Sequence, residues 1–232
     1  MEAMTLDGEP PVAVMLRRSG RARRLSLRVS GTDGRVTLTL PAGTPLAEGR
    51  AFAESRAGWL RARLAGLVAP VAVGHGTMLP VAGVAMRVAP AGAGARGVRA
   101  AGNRLLVAGP ETETGARLAG FLRETARVAL SAAVTHHADA LDRRPGRLSL
   151  RDPRSRWGSC SARGDLMFSW RLAMAPAEVL DYVAAHEVAH LARMDHSPAF
   201  WAVVERLCPG WRAPRDWLRS EGAGLMRYRF GG

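Results

Sequence analysis

Apolar and polar residues alternate along the first part of the chain. Val12-Ala13-Val14-Met15-Leu16, Leu25-Ser26-Leu27-Arg28-Val29 and Val36-Thr37-Leu38-Thr39-Leu40 carry the two-residue period of half-buried strands. Gly31-Thr32-Asp33-Gly34 reads as the turn between the last two. Pro45 then opens a helix predicted over residues 45–67, with Phe52, Trp59, Leu60 and Leu64 on or near one face. Between residues 71 and 110 the pattern is broken by Gly and Pro. Met78-Leu79-Pro80-Val81, Val84-Ala85-Met86-Arg87-Val88 and Leu105-Leu106-Val107 are short strands, Gly102-Asn103 turns a hairpin, and the Ala/Gly-rich stretch 89–97 is a loop.

The period then changes to that of a helix. Residues 111–141 form a long helical pattern with acids at its start, and Leu118, Phe121, Leu122, Ala126 and Val128 supply its apolar side. Pro145-Gly146 ends it, and Leu148-Ser149-Leu150 is a further strand. Residues 156–162 and 166–174 read as a hairpin about Arg163-Gly164-Asp165, a triplet read as a turn rather than an adhesion motif. Pro176 and Glu178 mark the start of a helix running to about Arg193, and Ser197-Pro198 marks another running to about Leu207. Cys208-Pro209-Gly210 stops it, and there is no internal repeat.

That helix starting at Pro176 carries the chemistry. His186-Glu187-Val188-Ala189-His190 places two imidazoles four residues apart, on one helix face and about one turn apart, where both can grip one metal ion. Glu187 falls on the shoulder of that face, able to reach a water held by the ion without being a ligand. Leu180, Ala184, Val188 and Leu191 form a separate apolar stripe, and small Ala189 leaves the ligand face open. A H-E-x-x-H pattern alone occurs by chance, so its context matters. Three of the six histidines fall within eleven residues here.

A catalytic zinc normally takes three protein ligands and leaves a position for water. His196, six residues after His190 and beyond the helix end, is the expected third ligand. Asp195 is either an orienting partner for a ligand imidazole or an exposed turn carboxylate. Cys160 is the rival third ligand, since some H-E-x-x-H enzymes, peptide deformylases among them, use a cysteine from an upstream strand. Gly158-Ser159-Cys160-Ser161 lacks the surroundings of that family. His136 and His137, adjacent on the long helix, are expected at the surface, and His75 sits alone in a glycine loop. Tyr182 and Tyr228 are candidate oxyanion partners, but a structural role is the expected one for each.

Composition adds a little. Hydrophobic content of 47% over 232 residues is that of a globular chain able to bury a core. No uncharged apolar window of about 18 residues predicts a membrane span, and the N-terminus has no secretory pattern, so a cytoplasmic location is expected. Cys160 and Cys208 are expected to be free thiols. The formal charge is +13, but all 33 basic residues are arginine, the codon bias of a GC-rich genome. That bias explains Arg for Lys and not the excess of base over acid. A nucleic-acid partner therefore stays open.

Arg156-Trp157-Gly158-Ser159-Cys160, His186-Glu187-Val188-Ala189-His190-Leu191 and His196-Ser197-Pro198-Ala199-Phe200-Trp201 together resemble the YgjP-like metallopeptidase family. Arg21-Ala22-Arg23-Arg24-Leu25-Ser26-Leu27-Arg28-Val29 extends the resemblance to the N-terminal part, and it is strongest over residues 148–211. Residues 89–101 match nothing. The resemblance implies an α+β fold: a small zincin-like catalytic domain over 111–232, with a long helix packed on a mixed or antiparallel sheet, after an N-terminal β-rich region with one helix over 1–110. It implies one Zn2+ on His186, His190 and His196, Glu187 as general base, and a peptide or protein substrate. His196 and Phe200 are also placed as in the similar SprT-like and Wss-type proteases, which act on proteins crosslinked to DNA; fold analogy alone does not carry that function over. In zincins an edge strand beside the cleft pairs with the extended substrate, and residues 156–161 are either that strand, its neighbour, or a hairpin whose Trp157 fills the core.

Three functions follow: a general zinc metallopeptidase, a DNA-associated protease, and a non-peptidase zinc amidohydrolase or binding protein. The first is the expected one.

Overall fold

The computed structural model describes residues 2–31, 34–66 and 69–231. The turn expected at residues 31–34 lies in part outside the described residues. The chain divides into two compact units, Met1–Pro70 and Val71–Gly232.

In the first unit, β1 (Ala3–Leu6), β2 (Val12–Ser19), β3 (Ser26–Val29) and β4 (Val36–Pro41) form a sheet of order β1-β2-β4-β3. β2 and β4 are parallel and the outer pairs antiparallel. The alternation read in the sequence buries Val12, Val14, Leu16, Val36, Leu38 and Leu40 on one face. The single expected helix is two, α1 (Leu46–Ser55) and α2 (Ala57–Ala65), broken at Arg56. Leu60 is buried, whereas Trp59 is exposed rather than on the apolar face.

The second unit opens with β5 (Val71–Ala72), then β6 (Met78–Val81), β7 (Val84–Pro90), β8 (Val98–Ala101) and β9 (Arg104–Val107). The last four form a mixed sheet of order β6-β7-β9-β8. Gly102, at φ 56°, turns the β8–β9 hairpin. Leu79, Met86, Val88, Leu105 and Val107 of this sheet belong to the same core as the helices that follow. These strands thus share their core with the helices that follow, within the unit Val71–Gly232.

α3 (Thr114–Ala140) buries Leu118, Leu122, Ala126, Leu130 and Val134 along one face, while Val128 is exposed on the other. It is followed by β10 (Leu148–Arg151), β11 (Gly158–Cys160) and β12 (Leu166–Ser169). β12 is central, parallel to β10 and antiparallel to β11, so β11 is an edge strand. The hairpin expected to reach Met174 ends at Ser169, because residues Trp170–Met174 form a buried 3-10 turn. α4 (Ala177–Ala189) packs on α3 and beside β11, and α5 (Pro198–Leu207), α6 (Arg212–Ser220), α7 (Gly222–Leu225) and β13 (Tyr228–Arg229) close the unit. β13 pairs in parallel with β5. The α+β class expected from the sequence is the observed one. No helix among the described residues is long and apolar enough to cross a membrane.

Two buried polar residues tie these layers together. His137, expected at the surface, is buried. Its Nε2 lies 2.8 Å from Asp181 Oδ1, joining α3 to α4. Its burial follows from the packing of those two helices. Arg171 donates to both carboxylate oxygens of Asp152, at 2.7 and 3.1 Å, and to the carbonyls of Leu225 and Tyr228. It fixes the C-terminal segment against the turn that leads into α4.

Candidate metal centre

α4 begins where Pro176 prevents an earlier start, with Glu178 in the first turn near the positive end of the helix dipole. Val179, Leu180, Val183, Ala184 and Val188 are buried, which fixes the rotation of the helix. The helix ends earlier than Arg193. His190 is its cap, and single turns closed by Leu191 N–H to Val188 O and Arg193 N–H to Ala189 O carry the chain round. The chain re-enters a helix at Ser197, whose hydroxyl accepts from Phe200 N–H at 3.4 Å, with Pro198 in the first turn.

This reversal brings His196 back over the α4 face. One nitrogen from each of His186, His190 and His196 lies within 4.8 Å of the others. His186 Nε2 and His196 Nε2 are 3.3 Å apart. Two nitrogens each about 2.05 Å from one tetrahedral zinc ion would stand about 3.3 Å apart. Two ring nitrogens this close cannot both present lone pairs without a proton or a cation between them. The donor set therefore fits a metal ion.

The rings are held in place. His190 Nδ1 lies 3.0 Å from the Arg193 carbonyl, so Nδ1 carries the proton and Nε2 keeps its lone pair. Phe200, fully buried, has its ring 4.5–5.0 Å from all three imidazoles. Trp201 flanks His186 at 5.7 Å and stacks on Trp211 at 4.3 Å. The Nδ1 of His186 is buried without a hydrogen-bond partner among the described residues, so aromatic packing rather than a second hydrogen bond orients this ring. Burial, then the neighbouring imidazoles, push its pKa down to about 4. It is thus neutral, as a metal ligand must be, well below pH 7.

A cleft of about 490 Å³ opens beside the three rings. Ser155, Arg156, Gly158, Ser159 and Cys160 form its β11 side. Glu187 lines it with the histidines and is 6% exposed. Burial raises its carboxyl to about 7, partly offset by the Arg156 guanidinium. Cys160 lines the same cleft but is not one of the three grouped donors. Burial raises its thiol above the usual range, which disfavours the thiolate a metal needs. Asp195 is bound to Ser197 at the start of α5. Its carboxylate accepts from the Ser197 hydroxyl at 2.8 Å and N–H at 3.3 Å, so it steadies the start of α5.

Tyr182 and Tyr228 do not line the cleft. Tyr182 is buried, stacks on Trp211 and meets His186 edge-on at 6.0 Å; burial pushes its phenol up to about 12. His75 lies 3.3 Å from the Thr114 hydroxyl, apart from the site. The sequence reading missed the contribution of Gly158. A Cβ there would lie 2.6 Å from Glu187 Cγ and Oε1, so only glycine lets α4 and β11 approach this closely.

The family model described as YgjP-like, metallopeptidase domain, matches residues 23–221. The chain belongs to this family. Membership makes it a metallopeptidase by family, and the three histidines are the group that could hold its metal. The crystal structure of the metallopeptidase zymogen of Pyrococcus abyssi abylysin is similar at 27% identity, over 40% of this chain and 92% of that one, with a TM-score of 0.36. No curated protein matches the chain.

Proposed function

We propose that this family member is a zinc-dependent peptidase that binds one Zn2+ through His186, His190 and His196 and uses Glu187 as general base. The observation that carries this reading is the grouping of the three ring nitrogens within 4.8 Å, with the buried Glu187 carboxylate in the same cleft. Zinc bound there would polarise a substrate carbonyl and lower the pKa of a water toward about 7.

The protein's own groups supply the rest. Glu187, packed against Gly158, accepts a proton from the attacking water at its carboxylate and later delivers it to the leaving amine. The free edge of β11 offers main-chain hydrogen bonds to an extended peptide, which gives affinity with little sequence preference. Trp157 packs on Gly222, where an added Cβ would lie 3.0 Å from its ring, and so holds the start of that edge. The free thiols of Cys160 and Cys208 fit the reducing environment of the cytoplasm, where we place the activity.

Glu187→Gln tests the mechanism, because it keeps the shape and removes the base. It is expected to retain zinc while hydrolysis of a cleaved peptide falls by about 10²–10⁴-fold. Near wild-type turnover in this variant would end the assignment.

A further inference from the structure

The cleft continues past the histidines. A second cavity of about 250 Å³ adjoins it, and His190 and Met194 line both. Three arginines line this second cavity: Arg143 and Arg144, just beyond α3, and Arg163, in the turn between β11 and β12. Leu191 adds an apolar wall. None of these three arginines is in an ion pair among the described residues. The acid of that turn, Asp165, does not line the cavity and instead accepts from Arg147 N–H at 2.9 Å.

The two segments that bear the arginines are locked together. Gly146 N–H donates to the Gly164 carbonyl at 2.9 Å. The Ser161 hydroxyl accepts from the N–H groups of Arg163 and Asp165, and Gly164, at φ 82°, reverses the chain. A guanidinium presents a planar fork of donors that matches a carboxylate, and three exposed arginines lining one small cavity can supply such forks beside an apolar wall. β11 leads there directly, from Gly158 beside Glu187, through Cys160, into the turn that carries Arg163.

We propose that this arginine pocket is a specificity subsite for a carboxylate of the peptide substrate, from an Asp or Glu side chain or from the chain terminus. The proposal rests on the peptidase reading of the adjoining cleft. At about 3.3 Å per residue, an extended peptide lying along β11 reaches the arginines some two to four residues from the bond beside Glu187. The subsite would select acidic sequences in a cleft whose edge-strand contacts are otherwise indifferent to side chains.

The test uses the full-length zinc-loaded protein and peptide pairs that differ only by Glu or Gln at each of the four positions on either side of the cut. A second set carries a free or an amidated C-terminus. One position, or the free terminus, is expected to raise kcat/KM about tenfold, the gain of one charge-assisted contact. Arg143→Gln with Arg163→Gln should abolish that preference and leave hydrolysis of the neutral peptide unchanged. The responding set tells a side chain from a terminus. Binding of the same acidic and neutral peptides to the Glu187→Gln protein, followed by fluorescence anisotropy, is the second readout. If wild type cleaves no peptide, the peptidase reading fails, and anisotropy still decides the subsite. Equal affinity for acidic and neutral peptides, or a preference that survives the arginine substitutions, overturns the proposal. So does loss of single-stranded oligonucleotide binding in the arginine variant with no carboxylate preference, which would assign the pocket to phosphate.

Discussion

Gly158 and Glu187 face each other across the junction of β11 and α4, so closely that a Cβ on residue 158 would lie 2.6 Å from both Cγ and Oε1 of the glutamate. No real Cβ tolerates that distance, and the neighbour that must yield is the proposed base. Gly158→Ala is therefore expected to displace Glu187 rather than the three histidines, since the three atoms nearest an added Cβ all belong to the glutamate. Zinc content should stay close to one per chain while kcat falls by about 10²-fold, because a misplacement of about 1 Å is enough for such a loss. Elemental analysis beside peptide kinetics checks this. Loss of metal and activity together would mean that the glycine supports the ligand helix rather than the glutamate.

The ligand set separates in the same way. His186→Ala or His190→Ala should remove most of the zinc, and His196→Ala should weaken it strongly, because each ring supplies one of three grouped nitrogens. Cys160→Ser should leave zinc nearly intact, as its sulfur stands outside that group. X-ray absorption reads the same question directly. A sulfur scatterer at about 2.3 Å would move Cys160 into the ligand set.

The two imidazoles of the H-E-x-x-H helix were legible because helical periodicity fixes which residues share a face. Ser197-Pro198 fixed the restart of the chain after His196, through an N-cap and a first-turn proline that act locally. Burial against a distant segment is not local, and the sequence hid it. His137 looked like one of an exposed pair, yet it is buried against Asp181, 44 residues away. Nothing local marks Arg171 among the arginines, because its partners are Asp152 and carbonyls beyond residue 224. Gly158 belonged to a recognisable motif, but its reason lies in α4, which packs on it only in three dimensions. The two-residue strands β5 and β13 are too short to show any period, and β1 (Ala3–Leu6) and β8 (Val98–Ala101) carry no run of branched or aromatic residues to mark them.

The last expectation concerns pH in the metal-free protein. Burial raises the Glu187 carboxyl from 4.5 to about 7 in the folded chain. A group whose folded pKa is raised binds its proton more tightly when folded, so its contribution to stability is complete below about pH 4.5 and is lost as pH rises toward 7. His186 runs the other way. Its pKa falls from 6.5 to about 4, so its contribution is present above about pH 6.5 and is lost as pH falls toward 4. Between those limits the slope of Glu187 opposes that of His186, and His190, lowered chiefly by burial, adds to the side of His186. Glu187→Gln removes one of them. The metal-free variant should therefore lose stability more steeply than wild type as pH falls from about 6.5 to 4.5, and it should gain on wild type as pH rises from 4.5 to 7. Urea unfolding midpoints of both proteins in chelator, at half-unit pH steps, give the difference curve. A difference that stays constant across that range would mean the carboxylate is already ionised in the folded protein. A cation at the three histidines favours the charged carboxylate, so added zinc should flatten the curve for the same electrostatic reason.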